Sequence, residues 1–284
     1  MSSQINSCSG TVTRFTRGDT TFHTYTAPEA GFRVNTHIVE TPTELTVIDA
    51  QLALPLAQEV VAVINDIGKP VARFIISHAH PDHFSGLQVL AEAFPTADIY
   101  ALQSVRGYLA EWAQPVLDAR RAAFGDIIAE RAVHPTRTLQ LGETTFPGLR
   151  ITVEEVAEAE AHTSALITFP DARVLAASDL VAAPGHHLFL VIDGEHTIDN
   201  WINQLQSIAT RTDIDIVLTG HGPTTDPRTA AAADIDWLNT AAKARAEAGV
   251  AADYAEVLKS RYPDHHDPVW ADFGSQMLYG LINP

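Results

Sequence analysis

The chain has 284 residues, 46% hydrophobic and 19% charged, which excludes a disordered or fibrous protein and suits one layered α/β unit or two fused halves. Eighteen Lys and Arg against 35 Asp and Glu leave a net charge of -17, the wrong sign for a protein that coats nucleic acid or an anionic membrane. The single cysteine, Cys8, excludes an intramolecular disulfide and a thiolate-held zinc, and the polar opening MSSQINSCSG reads without a signal peptide, so a soluble, cytoplasmic protein is expected.

The first fifty residues alternate in the β manner, with TVTRFT, TTFHTYTA, FRVNTHIVET and ELTVIDA separated by Gly, Pro and Asp. LPLAQEVVAVINDIG then changes to helical spacing, placing Leu56, Val60, Val63 and Ile67 on one face before Gly68. A strand ARFIIS, a histidine-rich loop and a helix from about Ser85 to Phe94 follow, ended by Pro95. Residues 103–132 read as a helical insertion broken near Pro115 and Gly125. TRTLQ, LRITVEEV, SALITFP and ARVLAASD read as strands, TIDNWINQLQSIA as an amphipathic helix and DIDIVLT as a last strand. The expected plan is therefore one domain, with a core of about 10–226 and a helical extension over 227–284.

The chemistry-bearing residues all fall at strand ends. SHAHPDHFSG puts His78, His80, Asp82 and His83 directly after an apolar strand, His162 precedes SALITF, Asp179 ends ARVLAAS and His221 follows DIVLT. Strands running one way deliver their ends to one rim, where α/β folds bind ligands. Imidazole and carboxylate donors suit Zn²⁺, Fe or Mn²⁺, and positions i, i+2, i+4 and i+5 of one loop can divide them between two ions. Two ions about 3.5 to 4 Å apart form hydrolytic machinery. Five neutral histidines and two aspartates would leave that pair an isolated cationic pocket in an acidic protein. Alone, His162 reads as a strand-edge histidine, Asp179 as a helix cap and Asp49 as a turn residue.

HAHPDH resembles the H-x-H-x-D-H signature of the metallo-β-lactamase superfamily, and Asp49, His162, Asp179 and His221 follow in that family's order over roughly residues 30–225. The resemblance implies an αββα sandwich with a metal site at one edge. It implies that His78, His80 and His162 hold a first zinc, that Asp82, His83 and His221 hold a second, and that Asp179 bridges them. Asp49 would brace the loop from behind the ligands. An aspartate at 179 is similar to the glyoxalase II and lactonase side of the family. Three departures stand out. Ala161 replaces a glycine, no tyrosine follows Asp179, and Lys259 and Arg261 make a sparse carboxy-terminal basic set.

The expected activity is attack of a metal-bound hydroxide on a small ester, lactone, thioester or amide, with Asp82 and Asp179 acting in catalysis. His186 and His187 lie on a loop expected to overhang the ions, and His187 is taken as a donor to the substrate. The alternatives are a persulfide-dioxygenase-like enzyme with one iron on His78, His162 and Asp179, and a non-enzymatic metal-holding scaffold. The expected partner is a small-molecule substrate, with neither nucleic acid nor membrane; self-association is left open.

Overall fold

The computed structural model describes residues 9–190 and 196–281; Cys8 and the stretch before it lie outside them. Strands β1 (Thr11–Arg17), β2 (Thr20–Thr26), β3 (Asn35–Glu40) and β4 (Leu45–Ile48) form an antiparallel meander. The outermost, TVTRFTR, is almost wholly exposed, and its threonines and arginines suit a solvated sheet edge. Helix α1 (Leu54–Ile67) buries Leu56, Ala57, Val60 and Ile64, while Val63 and Ile67 are only partly covered. Gly68, at φ 75°, ends α1 in the left-handed conformation that glycine adopts without strain.

The chain then runs through β5 (Val71–Ile76), a helical turn α2 (Pro81–Phe84), α3 (Leu87–Ala93), β6 (Asp98–Ala101), α4 (Gln103–Phe124) and β7 (Arg137–Thr138). Strands β5, β6 and β7 add in parallel, giving a sheet in the order β1-β2-β3-β4-β5-β6-β7. The second sheet takes β8 (Gly142–Phe146), β9 (Leu149–Ala157), β10 (Thr163–Phe169), β11 (Val174–Ser178) and, after α5 (Thr197–Thr210), β12 (Ile216–Thr219). Its order is β12-β11-β10-β9-β8, with all seven residues of β10 buried. The sheets face each other through contacts such as Phe22 edge-on to Phe169 at 5.3 Å. Helices α6 (Pro227–Glu247), α7 (Ala251–Arg261) and α8 (Val269–Leu278) close the chain, with Trp237 and Leu238 of α6 packed in one apolar cluster with Trp201 and Leu205 of α5.

The two sheets and their helices match the αββα expectation, with local differences. Helix α4 runs through Pro115 and stops only at Gly125. Proline removes the bond to Glu111, but both residues are exposed, so water can satisfy the freed carbonyl. Strands β6 and β8 were not expected from the sequence: β6 has four residues, and β8 is a largely exposed edge whose GETTF lacks an apolar alternation. Among the described residues, no helix is long and apolar enough to cross a membrane.

Two backbone stitches join the sheets. Ala165 N donates to Ser77 O at 2.9 Å, tying the loop after β5 to β10. Asn35 N donates to Gly220 O at 2.8 Å, tying β3 to the loop after β12. Both loops carry the histidines singled out above.

Candidate metal centre

Six of the seven expected ligands converge. His80 caps α2, so HAHPDH changes from extended chain to a helical turn within the motif and splits its donors between two directions. One set joins His78, His80, Glu160 and Asp179; a second joins Asp82, His83, Asp179 and His221. Asp179 belongs to both.

The spacing of the donor atoms fits metal coordination. In the first set His80 Nδ1 lies 3.0 Å from Glu160 Oε1, and His78 Nε2 lies 3.7 Å from both Glu160 Oε2 and Asp179 Oδ2. In the second, Asp179 Oδ2 lies 3.2 Å from His83 Nε2 and 3.3 Å from His221 Nε2, with Asp82 Oδ2 at 3.4 Å from His221 Nε2. A tetrahedron with bonds of about 2.0 to 2.1 Å has edges of roughly 3.3 Å. His78 Nε2, His83 Nε2, both Glu160 oxygens and Asp179 Oδ1 are buried without a hydrogen-bond partner, an arrangement that is costly unless a cation is held there.

The far nitrogens of three imidazoles are tied back. Asp49, at φ 61°, accepts from Ser77 N and Ser77 Oγ, both at 2.7 Å, and from His83 Nδ1 at 3.0 Å. His83 Nε2 is thereby left to face the other donors. His78 Nδ1 lies 3.0 Å from Ser77 Oγ and 3.2 Å from Ser178 Oγ, and the two hydroxyls are 2.8 Å apart. His221 Nδ1 donates to Phe32 O at 2.6 Å. Burial pushes the His78 imidazole down to about 3, with the neighbouring His83 and His80 acting the same way, so it stands neutral as a ligand must. Burial also raises the Glu160 carboxyl, opposed by His80.

The glycines of TGHG have a specific reason. A Cβ on Gly220 would stand 1.6 Å from Asp179 Oδ1, so the carboxylate shared by both sets requires glycine beside it. The group that approaches the Gly220 backbone is thus the Asp179 carboxylate. A Cβ on Gly222 would meet the His186 ring at 2.6 Å.

His162 is the expected ligand that the structure does not bring in. It is exposed, against Tyr108 of α4 at 6.1 Å between ring centres. The turn between β9 and β10 explains the exchange. Glu158 takes a φ of 50°, and Glu158 N and Ala159 N bond His162 O and Ala161 O, so residues 158–162 fold on themselves with Glu160 near the tip. Glu160 is 3% exposed and takes the inward place. The acidic run EEVAEAEA was the available signal. The ligand trio of the one-iron alternative, His78, His162 and Asp179, is not assembled.

A cavity open to solvent adjoins the donors, lined in part by Glu160, Asp179, His186, His187, Asp267 and Trp270. His187 is 3% exposed, with its Nδ1 accepting from Trp237 Nε1 at 3.2 Å and its ring beside Tyr262 and His265. His186 Nδ1 donates to Ala183 O at 2.9 Å. Both histidines engage their own loop and the carboxy-terminal helices. The Nε2 atoms of both are buried without a hydrogen-bond partner, and Phe189 of the same loop lies 6.1 Å from His80 between ring centres.

Fold and donor sets define a mixed α/β protein with candidate metal ligands clustered at one rim. The family model of the metallo-beta-lactamase superfamily matches residues 30–247, and the chain belongs to that superfamily. It is similar in structure to the DIM-1 metallo-beta-lactamase exposed to ceftazidime, at 18% identity, covering 82% of this chain and 98% of that one with a TM-score of 0.61. A metallo-beta-lactamase from Pontibacter korlensis gives 16% identity, 81% and 99% coverage and a TM-score of 0.60. The sec-alkyl sulfatase PisA1 gives 16% identity and a TM-score of 0.65, covering 90% of this chain and 49% of its own. In sequence, 69 residues are 41% identical to the uncharacterized protein YobT of Bacillus subtilis (strain 168), spanning 24% of this chain and 29% of that protein.

Proposed function

We propose that the rim holds two divalent metal ions and that the protein hydrolyses a small ester, lactone, thioester or amide. The observation that supports this most strongly is the pair of donor sets sharing Asp179, with buried donor atoms that have no hydrogen-bond partner. Ions bound there would polarise a carbonyl oxygen and lower the pKa of water to about 7. Nitrogen and carboxylate donors suit Zn²⁺, with Fe and Mn²⁺ also compatible.

Each residue has a distinct part in this reading. His78, His80 and Glu160 hold the first ion, Asp82, His83 and His221 the second, and Asp179 spans both. Three carboxylates leave the pair one net positive charge, where the seven residues expected from the sequence would leave two. Asp82 retains 12% side-chain exposure at the rim, so its carboxylate can orient a reacting water and take its proton. Asp49 and the two serines keep His83 and His78 in the tautomers that present Nε2.

Metal quantification paired with a substrate screen tests the reading. The screen includes lactones, thioesters and carboxylic esters, together with a β-lactam and a secondary alkyl sulfate, the compound classes named for the structural neighbours. About two ions per chain and chelator-sensitive cleavage of a carbonyl substrate are expected. Full activity in metal-free protein, or activity confined to the alkyl sulfate, would overturn it.

A further inference from the structure

The carboxy-terminal helix brings a side chain over the metal centre that the sequence did not single out. Trp270 of α8 packs on Phe189 at 5.0 Å between ring centres and on Phe32 at 4.6 Å. Trp270 also lies edge-on to His221 at 6.1 Å, and Phe189 edge-on to His80 at 6.1 Å. The aromatic pair therefore arches from a ligand of the second donor set to a ligand of the first. Both rings remain partly exposed, as a surface that meets a ligand must be.

This arch is fixed in place. Asp267 Oδ1 accepts from Arg33 Nη1 at 2.6 Å, and His266 N donates to Gly185 O at 2.8 Å while His187 N donates to His266 O at 3.1 Å. A Cβ on Gly274 would come within 3.0 Å of Leu190 O, so glycine lets α8 press close to the loop that carries Phe189.

The cavity lining offers no free charge to an arm beyond the donors: Glu160 and Asp179 belong to the donor sets, Asp267 pairs with Arg33, and no Lys or Arg is among the described lining residues. The nearby cation Arg33 is engaged by Asp267 and by Glu29 at 3.2 Å. Burial, opposed by the bond to Ala183 O, holds His186 down to about 4, and burial with the neighbouring His265 brings His187 to a similar value, so both are neutral near pH 7.

We propose that Trp270 and Phe189 form a substrate-selecting arch for an uncharged apolar arm flanking the scissile bond. This rests on the hydrolase reading for the bond cleaved, but not for the binding of the arm.

The test uses full-length, metal-loaded protein and the variants Trp270→Ala, Trp270→Phe and Phe189→Ala, each with metal content measured. Calorimetric binding of the neutral probe 4-phenylbutan-1-ol should weaken about tenfold in Trp270→Ala and stay within about threefold in Trp270→Phe. Wild-type kcat/KM should favour 4-nitrophenyl hexanoate over mono-4-nitrophenyl adipate, an ester of equal length ending in carboxylate, by about tenfold or more. Trp270→Ala should lose that preference, with kcat/KM falling further for the hexanoate than for 4-nitrophenyl acetate. Equal use of the two long esters by wild type, or alcohol binding indifferent to Trp270, would overturn the proposal. Alcohol binding that follows Trp270 with no ester cleaved would sink the hydrolase reading and leave the arch standing.

Discussion

The two donor sets are built differently. In the second, Asp82 and His83 are neighbours on one helical turn, and both imidazoles are tied back, His83 to Asp49 and His221 to Phe32 O. The first draws Glu160 from a hairpin turn and includes His80, whose side chain is 26% exposed. The second set is thus tied back at both of its imidazoles, and the first at His78 alone. An ion in the first set should exchange faster, and the experiments that follow test that asymmetry.

Gly220→Ala should have the largest effect, because a Cβ 1.6 Å from Asp179 Oδ1 displaces the carboxylate common to both sets. Both ions and at least about 10³-fold in turnover should be lost, measured by elemental analysis and kinetics. Equal metal content in this variant would remove Asp179 from the bridging position.

Glu160→Ala separates the sets. It should empty the first, leave the second filled and lower turnover by about 10²-fold or more, whereas His162→Ala should keep metal and turnover within about twofold. The reverse pattern would restore His162 as the ligand.

Ser178→Ala, which removes one of the two hydroxyls beside His78 Nδ1, should loosen the first ion by about tenfold to a hundredfold in chelator competition. The second ion should hold. Equal loosening of both would mean that the Asp49 network acts as one unit.

The smallest effect concerns stability. Burial lowers His37 to about 4, opposed by its bond to Thr219 O, and its neutral ring joins Thr24 to the strand that leads to His221. The unfolded chain takes up this proton near 6.5 and the folded chain does not until about 4. The contribution of His37 is therefore complete above pH 6.5 and lost as pH falls through that window, on the order of 3 kcal/mol. Urea unfolding of metal-free protein should show a shallower acid loss in His37→Gln than in wild type. Identical slopes would contradict the assignment.

The same contrast explains what the sequence could reveal. HAHPDH is local, so its spacing alone announced four donors, and glycine-flanked His221 stood out after a clear strand. Glu160 was hidden because inward direction in a tight turn depends on the positive φ at Glu158, which a run of Ala and Glu does not advertise. His162 drew attention by residue type. Trp270 was illegible for another reason: its place over the centre is set by Arg33 and Asp267, more than 200 positions apart in the chain. The layered fold was readable from alternating patterns, whereas β6 and β8 are too short or too polar to announce themselves.

The two stitches between the sheets bear on when the centre can come into being. One donor set needs the turn at 160 and the other the loop at 221, and both need the two sheets closed against each other along Ser77–Ala165 and Asn35–Gly220. A nascent chain shorter than 221 residues lacks His221, and one shorter than 270 lacks the aromatic cover. On the two-ion reading, loading with metal would therefore follow closure of both sheets rather than precede it.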